Sequence, residues 1–337
     1  MSKAIKLLVL DVDGTVTDSR HDVTQAAKQA VHKAQAAGIR VVIATGRRYR
    51  DVLPVVTELG VTEPVITASG ALVKMPVCHE TLFRSCFDET TLAQVLKYII
   101  DFGHEPVLYT DSFSEGFDFY CRTLVSRNKK GSLTGFGEYL QANKELARVH
   151  AALCESPPAD VFSGFVMGNA HEMESLESAL ALRFPGMLSV HTIRSPRYHD
   201  WLCEIAPAGV DKWSSVLQLA GSWKLSAEEI CAAGDDRNDL PMIIGAGLGV
   251  GAGVASLTSG GNKADMTPGG DTAPAAPKDN AVANKKPTLP DYKVDMKFKG
   301  NVFTDKPKTE EPKSKDDATA NVKAAYEKGK QFPSTRR

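Results

Sequence analysis

The stretch "LLVLDVDGTVTD", residues 7–18, stays apolar for four residues, stops at an aspartate, and two residues later turns from a second aspartate through a glycine. A leucine and β-branched run that ends at once in Asp, Gly and Thr reads as a parallel strand entering a loop, where an open α/β sheet presents its ligands. Asp11 and Asp13 then stand at the mouth of that strand. Taken alone, Asp-Val-Asp-Gly reads more readily as turn chemistry, because Asp and Gly end strands widely. The remainder of the chain decides between the two.

At 337 residues and 42% hydrophobic content, the chain can bury a sizeable core, more readily as two domains than as one. A formal net charge of -1 offers no electrostatic footprint for nucleic acid. The six cysteines are scattered without a Cys-x-x-Cys pair, and "MSKAIK" before the first strand is too short for a leader, so reduced thiols in a cytoplasmic protein are expected. No apolar stretch approaches the roughly 20 residues that a membrane span needs.

From 5 to 67 the strands "IKLLVL", "RVVIA" and "PVIT" alternate with helical stretches, the first running from an N-cap at Thr24 to a glycine stop at Gly38. This rhythm predicts a parallel sheet flanked by helices. Between 76 and 199 it is lost. Helical periodicity at Leu92, Val95, Leu96, Ile99 and Ile100 is followed by expected strands in "EPVLYT", "DVFSGFVMG" and "LSVHT", which together predict an inserted α+β domain. The rhythm returns with "WLCEIAP", a helix from Lys212, and the strands "EEICAAG" and "GLGVG". After about 268, Pro, Ala, Lys, Asp and Thr dominate, a composition too poor in apolar residues to form a core.

Three further polar clusters fall at strand ends or helix starts. "VVIATGRR" delivers Thr45 and Gly46 at the end of the second strand, where backbone N–H groups and one hydroxyl suit a phosphate oxygen. In "APAGVDKWSSV", Lys212 occupies a first helical turn against the helix dipole, which favours an anionic partner. "AAGDDRNDLPM" packs Asp235, Asp236, Asn238 and Asp239 into five residues. Carboxylates so close repel one another unless a cation neutralises them, so a hard, oxygen-seeking divalent ion is the natural resident. A solvated acidic turn with one N-cap accounts for one or two of these residues and not for four.

Read in order, "DVDGT", "ATGR", "GVDK" and "GDDRND" resemble the four motifs of the haloacid dehalogenase superfamily, in its Cof-like sugar-phosphatase branch with a large cap inserted after the third strand. The resemblance spans residues 3–268. It implies a doubly wound, Rossmann-like parallel-sheet core from 1–75 and 200–268, an α+β cap from 76–199, and a tail from 269–337, expected to be disordered. It further implies that Asp11 is a nucleophile forming an aspartyl-phosphate and Asp13 the general acid and base. Thr45, Gly46, Lys212 and Asn238 would hold the phosphoryl group. Mg²⁺ would be bound by Asp11, the main-chain carbonyl of Asp13, and Asp235, with Asp239 orienting its waters or Lys212. Two departures stand out: Ser69 in "TASGALV" replaces an amide common among relatives, and past "KADMTPGGD" the tail replaces a closing helix.

The expected function is Mg²⁺-dependent hydrolysis of small phosphorylated metabolites, sugar phosphates first, with neither nucleic acid nor membrane as partner. A phosphomutase would use the same two aspartates but needs a second phosphate clamp, and none is readable in the cap. A non-catalytic scaffold that kept the fold is the alternative from another class, and the intact set Asp11, Asp13, Lys212 and Asp235 speaks against it. Tyr109, Arg122 and His199 are the cap residues nearest to suggesting substrate contact, but such residues more often pack or face solvent. Trp201 reads as core.

Overall fold

The computed structural model describes residues 3–126, 133–195 and 197–251. The chain opens with β1 (Leu7–Leu10), α1 (Gln25–Ala36), β2 (Arg40–Ala44), α2 (Tyr49–Leu59) and β3 (Val65–Thr67), followed by β4 (Leu72–Lys74) and β5 (Thr81–Arg84). Next come α3 (Glu89–Asp101), β6 (Val107–Tyr109), β7 (Phe119–Cys121), α4 (Gly135–Ala142), β8 (Ala147–Val149), β9 (Ser163–Gly168), α5 (Ala170–Arg183), β10 (Leu188–Arg194) and β11 (Trp201–Pro207). It closes with α6 (Lys212–Ser222), β12 (Ile230–Gly234), α7 (Leu240–Gly245) and β13 (Leu248–Gly251).

Strand alternation divides the core. Leu7, Val9, Val42 and Ala44 point to one face and pack against Val216 and Leu219 of α6 and Met242 and Ile243 of α7. Leu10, Val41 and Ile43 point to the other and meet Val31 of α1 and Val52, Val55 and Val56 of α2. Apart from Ala44, each of these buried side chains contributes about 1.5–3 kcal/mol relative to exposure. Thr24 caps α1 as expected, its side chain accepting from Ala27 N at 3.1 Å, and Gly38 leaves the helix at φ 77°.

The first sheet has the order β13-β12-β1-β2-β3-β4-β5, with β13 through β3 parallel. From β1 the chain winds outward to β2 and β3, then returns to place β12 on the other side of β1. The strand order therefore reverses between β1 and β12, and the crevice beyond their carboxyl ends is where an open sheet binds ligands.

The second sheet has the order β10-β11-β9-β6-β7-β8 and is antiparallel except for β7 beside β8. Helices α3 and α5 cover one face through Val95, Ile99, Met173, Leu176 and Leu180. Two strands depart from the expected limits at 76 and 200. β5 extends the first sheet through β4, and β11, expected to rejoin the core, pairs with β9 and β10 instead. In β11 every second residue, Cys203 and Ile205, is buried under α5, a covering that only the cap supplies. The tail from 269 lies outside the described residues.

Between β3 and β4 the backbone makes a left-handed turn, with φ of 48° at Ala68, 53° at Ser69 and 108° at Gly70. The start of α6 rests on it, Ser215 Oγ donating to the Gly70 carbonyl at 2.6 Å. A Cβ at Gly70 would lie 2.1 Å from the Asp211 carbonyl oxygen. Gly70→Ala is therefore expected to cost at least about 2 kcal/mol, read as a lower urea midpoint; an unchanged midpoint would mean that α6 does not sit on this turn.

Candidate active site

The strand ends bring the predicted residues together. Asp11, Asp13, Thr45, Gly46, Lys212, Asp235 and Asn238 all line one open cavity of about 820 Å³ between the two sheets. Asp239, fully buried, lies beneath it. Asp11 continues the β1–β12 pairing, its N–H donating to the Ala233 carbonyl at 2.9 Å, which fixes its side chain at the crevice.

Lys212, 1% exposed, joins the acids. Its Nζ donates to Asp11 Oδ1 at 2.7 Å, Asp239 Oδ1 at 2.5 Å and Asn238 Oδ1 at 3.3 Å. Burial alone would lower the ammonium pKa, but the charges of Asp11 and Asp239 more than offset it and raise it above its ordinary value. Burial pushes the Asp11 carboxyl up to about 6, against the pull of Lys212 and with the Asp239 charge adding to the rise. Burial also raises Asp235, with Asp239 and Asp236 adding and Thr15, which donates at 3.1 Å, opposing. Asp239 Oδ2 accepts the N–H groups of Asp235 and Asp236, each at 3.0 Å, so this residue holds both the lysine and the loop.

Asp11, Asp235 and Asp239 each offer an oxygen, and these atoms lie within 4.8 Å of one another. Three carboxylates facing one ammonium leave excess negative charge, and repulsion from Asp239 adds to the upward shifts of Asp11 and Asp235 that burial chiefly causes. A hard divalent cation fits this donor set. Gly14 permits the approach: at φ 78°, a Cβ there would lie 2.1 Å from Asp235 Oδ2.

The Asp13 side chain stands apart from that group. Its oxygens accept from Arg47 Nε at 2.8 Å and Nη2 at 2.5 Å, and His21 Nδ1 lies at 3.0 Å. Burial would raise its pKa, but Arg47 and His21 outweigh it and hold the carboxyl below its usual value. Thr45 Oγ1 accepts from Arg47 N at 3.1 Å.

The cap roofs the site with Tyr109, Phe165 and Leu202. Of the three cap residues weighed from sequence, only Tyr109 lines the cavity; Arg122 stands 3.6 Å from Glu105, and His199 is exposed outside it. Trp201 opens β11 and is half-buried against the α5 side. Arg47, His21, Thr15 and Glu204 were not singled out from sequence. Glu204 on β11 accepts from Ser69 Oγ at 2.8 Å, a bond across the two sheets. Burial pushes its carboxyl above the ordinary value despite that bond. Alternation along "WLCEIAP" marks Glu204 as opposite in face to Cys203, the one signal that could have found it.

Removing Lys212 strands two buried carboxylates. Lys212→Met is expected to cost about 3–5 kcal/mol at pH 7. The deficit should shrink as the pH falls, because an unpaired Asp11, its pKa raised, takes up a proton and sheds its charge. Chemical denaturation of both proteins at pH 7 and pH 5 reads this, and a deficit that grows toward pH 5 would contradict the charge triad.

Residues 8–258 match the family model described as haloacid dehalogenase-like hydrolase. Among curated proteins, the phosphatase YwpJ of Bacillus subtilis is 28% identical over 263 residues, covering 74% of this chain and 90% of that protein. The 5-amino-6-(5-phospho-D-ribitylamino)uracil phosphatase YwtE of the same organism is 24% identical over 271 residues, covering 72% and 86%. A solved haloacid dehalogenase-like hydrolase from Bacteroides thetaiotaomicron shares the fold with a TM-score of 0.58 at 24% identity, covering 74% of this chain and 88% of that one. The four motifs, their convergence at the reversal of strand order and this match place the chain in the haloacid dehalogenase-like hydrolase family.

Proposed function

We propose that this hydrolase is a Mg²⁺-dependent phosphatase of small phosphorylated metabolites, sugar phosphates foremost, working through an aspartyl-phosphate on Asp11. The observation that carries the reading is the convergence on one cavity of Asp11, Lys212 and the acidic cluster, with Thr45 and Gly46 at the neighbouring strand end. The names of YwpJ and YwtE, both phosphatases, support it.

In this reading an Asp11 oxygen attacks phosphorus and the ester P–O bond breaks, the departing oxygen taking a proton from Asp13. Water then attacks the same phosphorus, gives a proton back to Asp13, and the Asp11–phosphorus bond breaks. Asp11 and Asp235 would hold the ion with the Asp13 carbonyl, and Asp239 keeps Lys212 and the loop in place. When bound, Mg²⁺ would neutralise charge building on the phosphoryl oxygens. Lys212, Asn238, Thr45 and the Gly46 N–H would orient that group. Arg47 and His21 favour ionised Asp13, so the first proton transfer requires that pair to loosen; an arriving phosphate dianion competes for the Arg47 guanidinium.

Asp11→Asn keeps nearly the same volume but cannot form the acyl-phosphate. Turnover of an aryl phosphate should fall by several orders of magnitude, and a variant retaining more than about a tenth of wild-type kcat, a difference under roughly 1.4 kcal/mol, would rule out the covalent route. Activity should also vanish in excess chelator and return with Mg²⁺. Ca²⁺ should restore it weakly or not at all, because its longer bonds and looser coordination misplace the attacking carboxylate. Full activity in chelator would remove the ion from the reaction.

A further inference from the structure

The cavity is far larger than a phosphoryl group requires, and its cap side carries charge that the proposed chemistry does not use. Arg194, at the end of β10, and Arg197, in the turn to β11, are exposed and line the same cavity as Asp11. Of the core arginines that line it, Arg47 is committed to Asp13, and Arg48 is held by Asp51 at 2.7 Å and Asn143 at 2.7 Å, its Nη1 standing 3.7 Å from Asp118 without a hydrogen bond. Arg194 and Arg197 have no acidic partner among the described residues.

The turn that carries them is tied down on several sides. Ser195, itself buried, donates its N–H to the Asp200 carbonyl at 3.1 Å, and its Oγ accepts from Tyr198 N at 3.1 Å. The Asp200 carboxylate accepts from Gly135 N at the start of α4 at 2.9 Å. Tyr198 Oη accepts from Asn143 Nδ2 at 2.9 Å, and Asn143 in turn receives Arg48 from the core. A backbone held this way leaves only the two arginine side chains to be ordered on binding. Tyr109, Phe165, Ile193 and Leu202 line the same cavity and give it an apolar wall suited to a carbon skeleton.

We propose that Arg194 and Arg197 form a second anion-binding subsite, so that the preferred substrate is a phosphate monoester bearing another anionic group, a carboxylate or a second phosphate, at its far end. Two guanidinium groups suit either oxyanion, since both accept paired N–H donors. The proposal rests on the phosphatase reading only for which end of the ligand reacts; the subsite itself is read by binding.

Calorimetry in chelator on the full chain tests it with two matched pairs: glycerol 3-phosphate against 3-phosphoglycerate, and fructose 6-phosphate against fructose 1,6-bisphosphate. At least one doubly anionic ligand should bind about tenfold or more tightly than its partner, and the pair that shows the gap identifies carboxylate or phosphate as the second group. In Arg194→Gln/Arg197→Gln, both residues being exposed, the ratio should fall to within about twofold. Wild-type ratios within twofold for both pairs, a ratio that survives the double variant, or no binding of any of the four ligands would each overturn the subsite. Hydrolysis of an aryl phosphate in Mg²⁺, measured separately, judges the phosphatase reading: its absence would sink that reading while the binding ratios still decide the subsite.

Discussion

The ammonium of Lys212, buried between Asp11 and Asp239, is the interaction on which the rest of this site depends. Its three participants come from three separate places: the end of β1, the start of α6 and the turn after β12. Removing such charges from water costs several kcal/mol per ion, and only close geometry with every polar atom satisfied offsets it. That demand explains the local architecture. Asp239 uses its second oxygen on two backbone N–H groups. The α6 start rests on a left-handed turn whose glycine admits the Asp211 carbonyl. Gly14 lets the Asp235 carboxylate come close.

Asp11 and Asp13 lie two residues apart, yet their environments push them in opposite directions. Burial beside other acids raises Asp11, whereas Arg47 and His21 lower Asp13. Two chemically identical groups are thereby given different proton affinities, but in the direction opposite to the proposed roles: the proposed nucleophile is the harder of the two to ionise and the proposed acid the easier. In the proposed mechanism each role therefore depends on something arriving: a cation to relieve Asp11, and an anion to draw Arg47 away from Asp13.

Much of this was legible in the sequence because it is local. Thr24 and Gly38 announce the limits of α1 through cap chemistry, and the four polar clusters each follow a strand or open a helix, so a parallel sheet delivers them to one edge. What was hidden is non-local. "WLCEIAP" alternates equally well as a core strand or a cap strand, and only its partners β9 and β10 decide. β5 is too short and too mixed to declare which sheet it extends. Arg47 sits inside a motif that was read, but its value lies in reaching Asp13 across 34 residues. Glu204 reaches Ser69 across 135, and no periodicity reports such a pair.

The membership of β11 in the cap sheet also says where this protein can be cut. An exchange of caps between relatives, made where the rhythm of the sequence returns near residue 200, would leave β11 behind with the recipient and split the sheet beside β9. Seams placed after β5, between Arg84 and Phe87, and after β11, between Pro207 and Val210, keep both sheets whole. The second seam lies immediately before Lys212. A grafted roof would therefore join the recipient right beside the lysine of its charge triad, and modularity here extends only as far as that joint keeps the lysine in register.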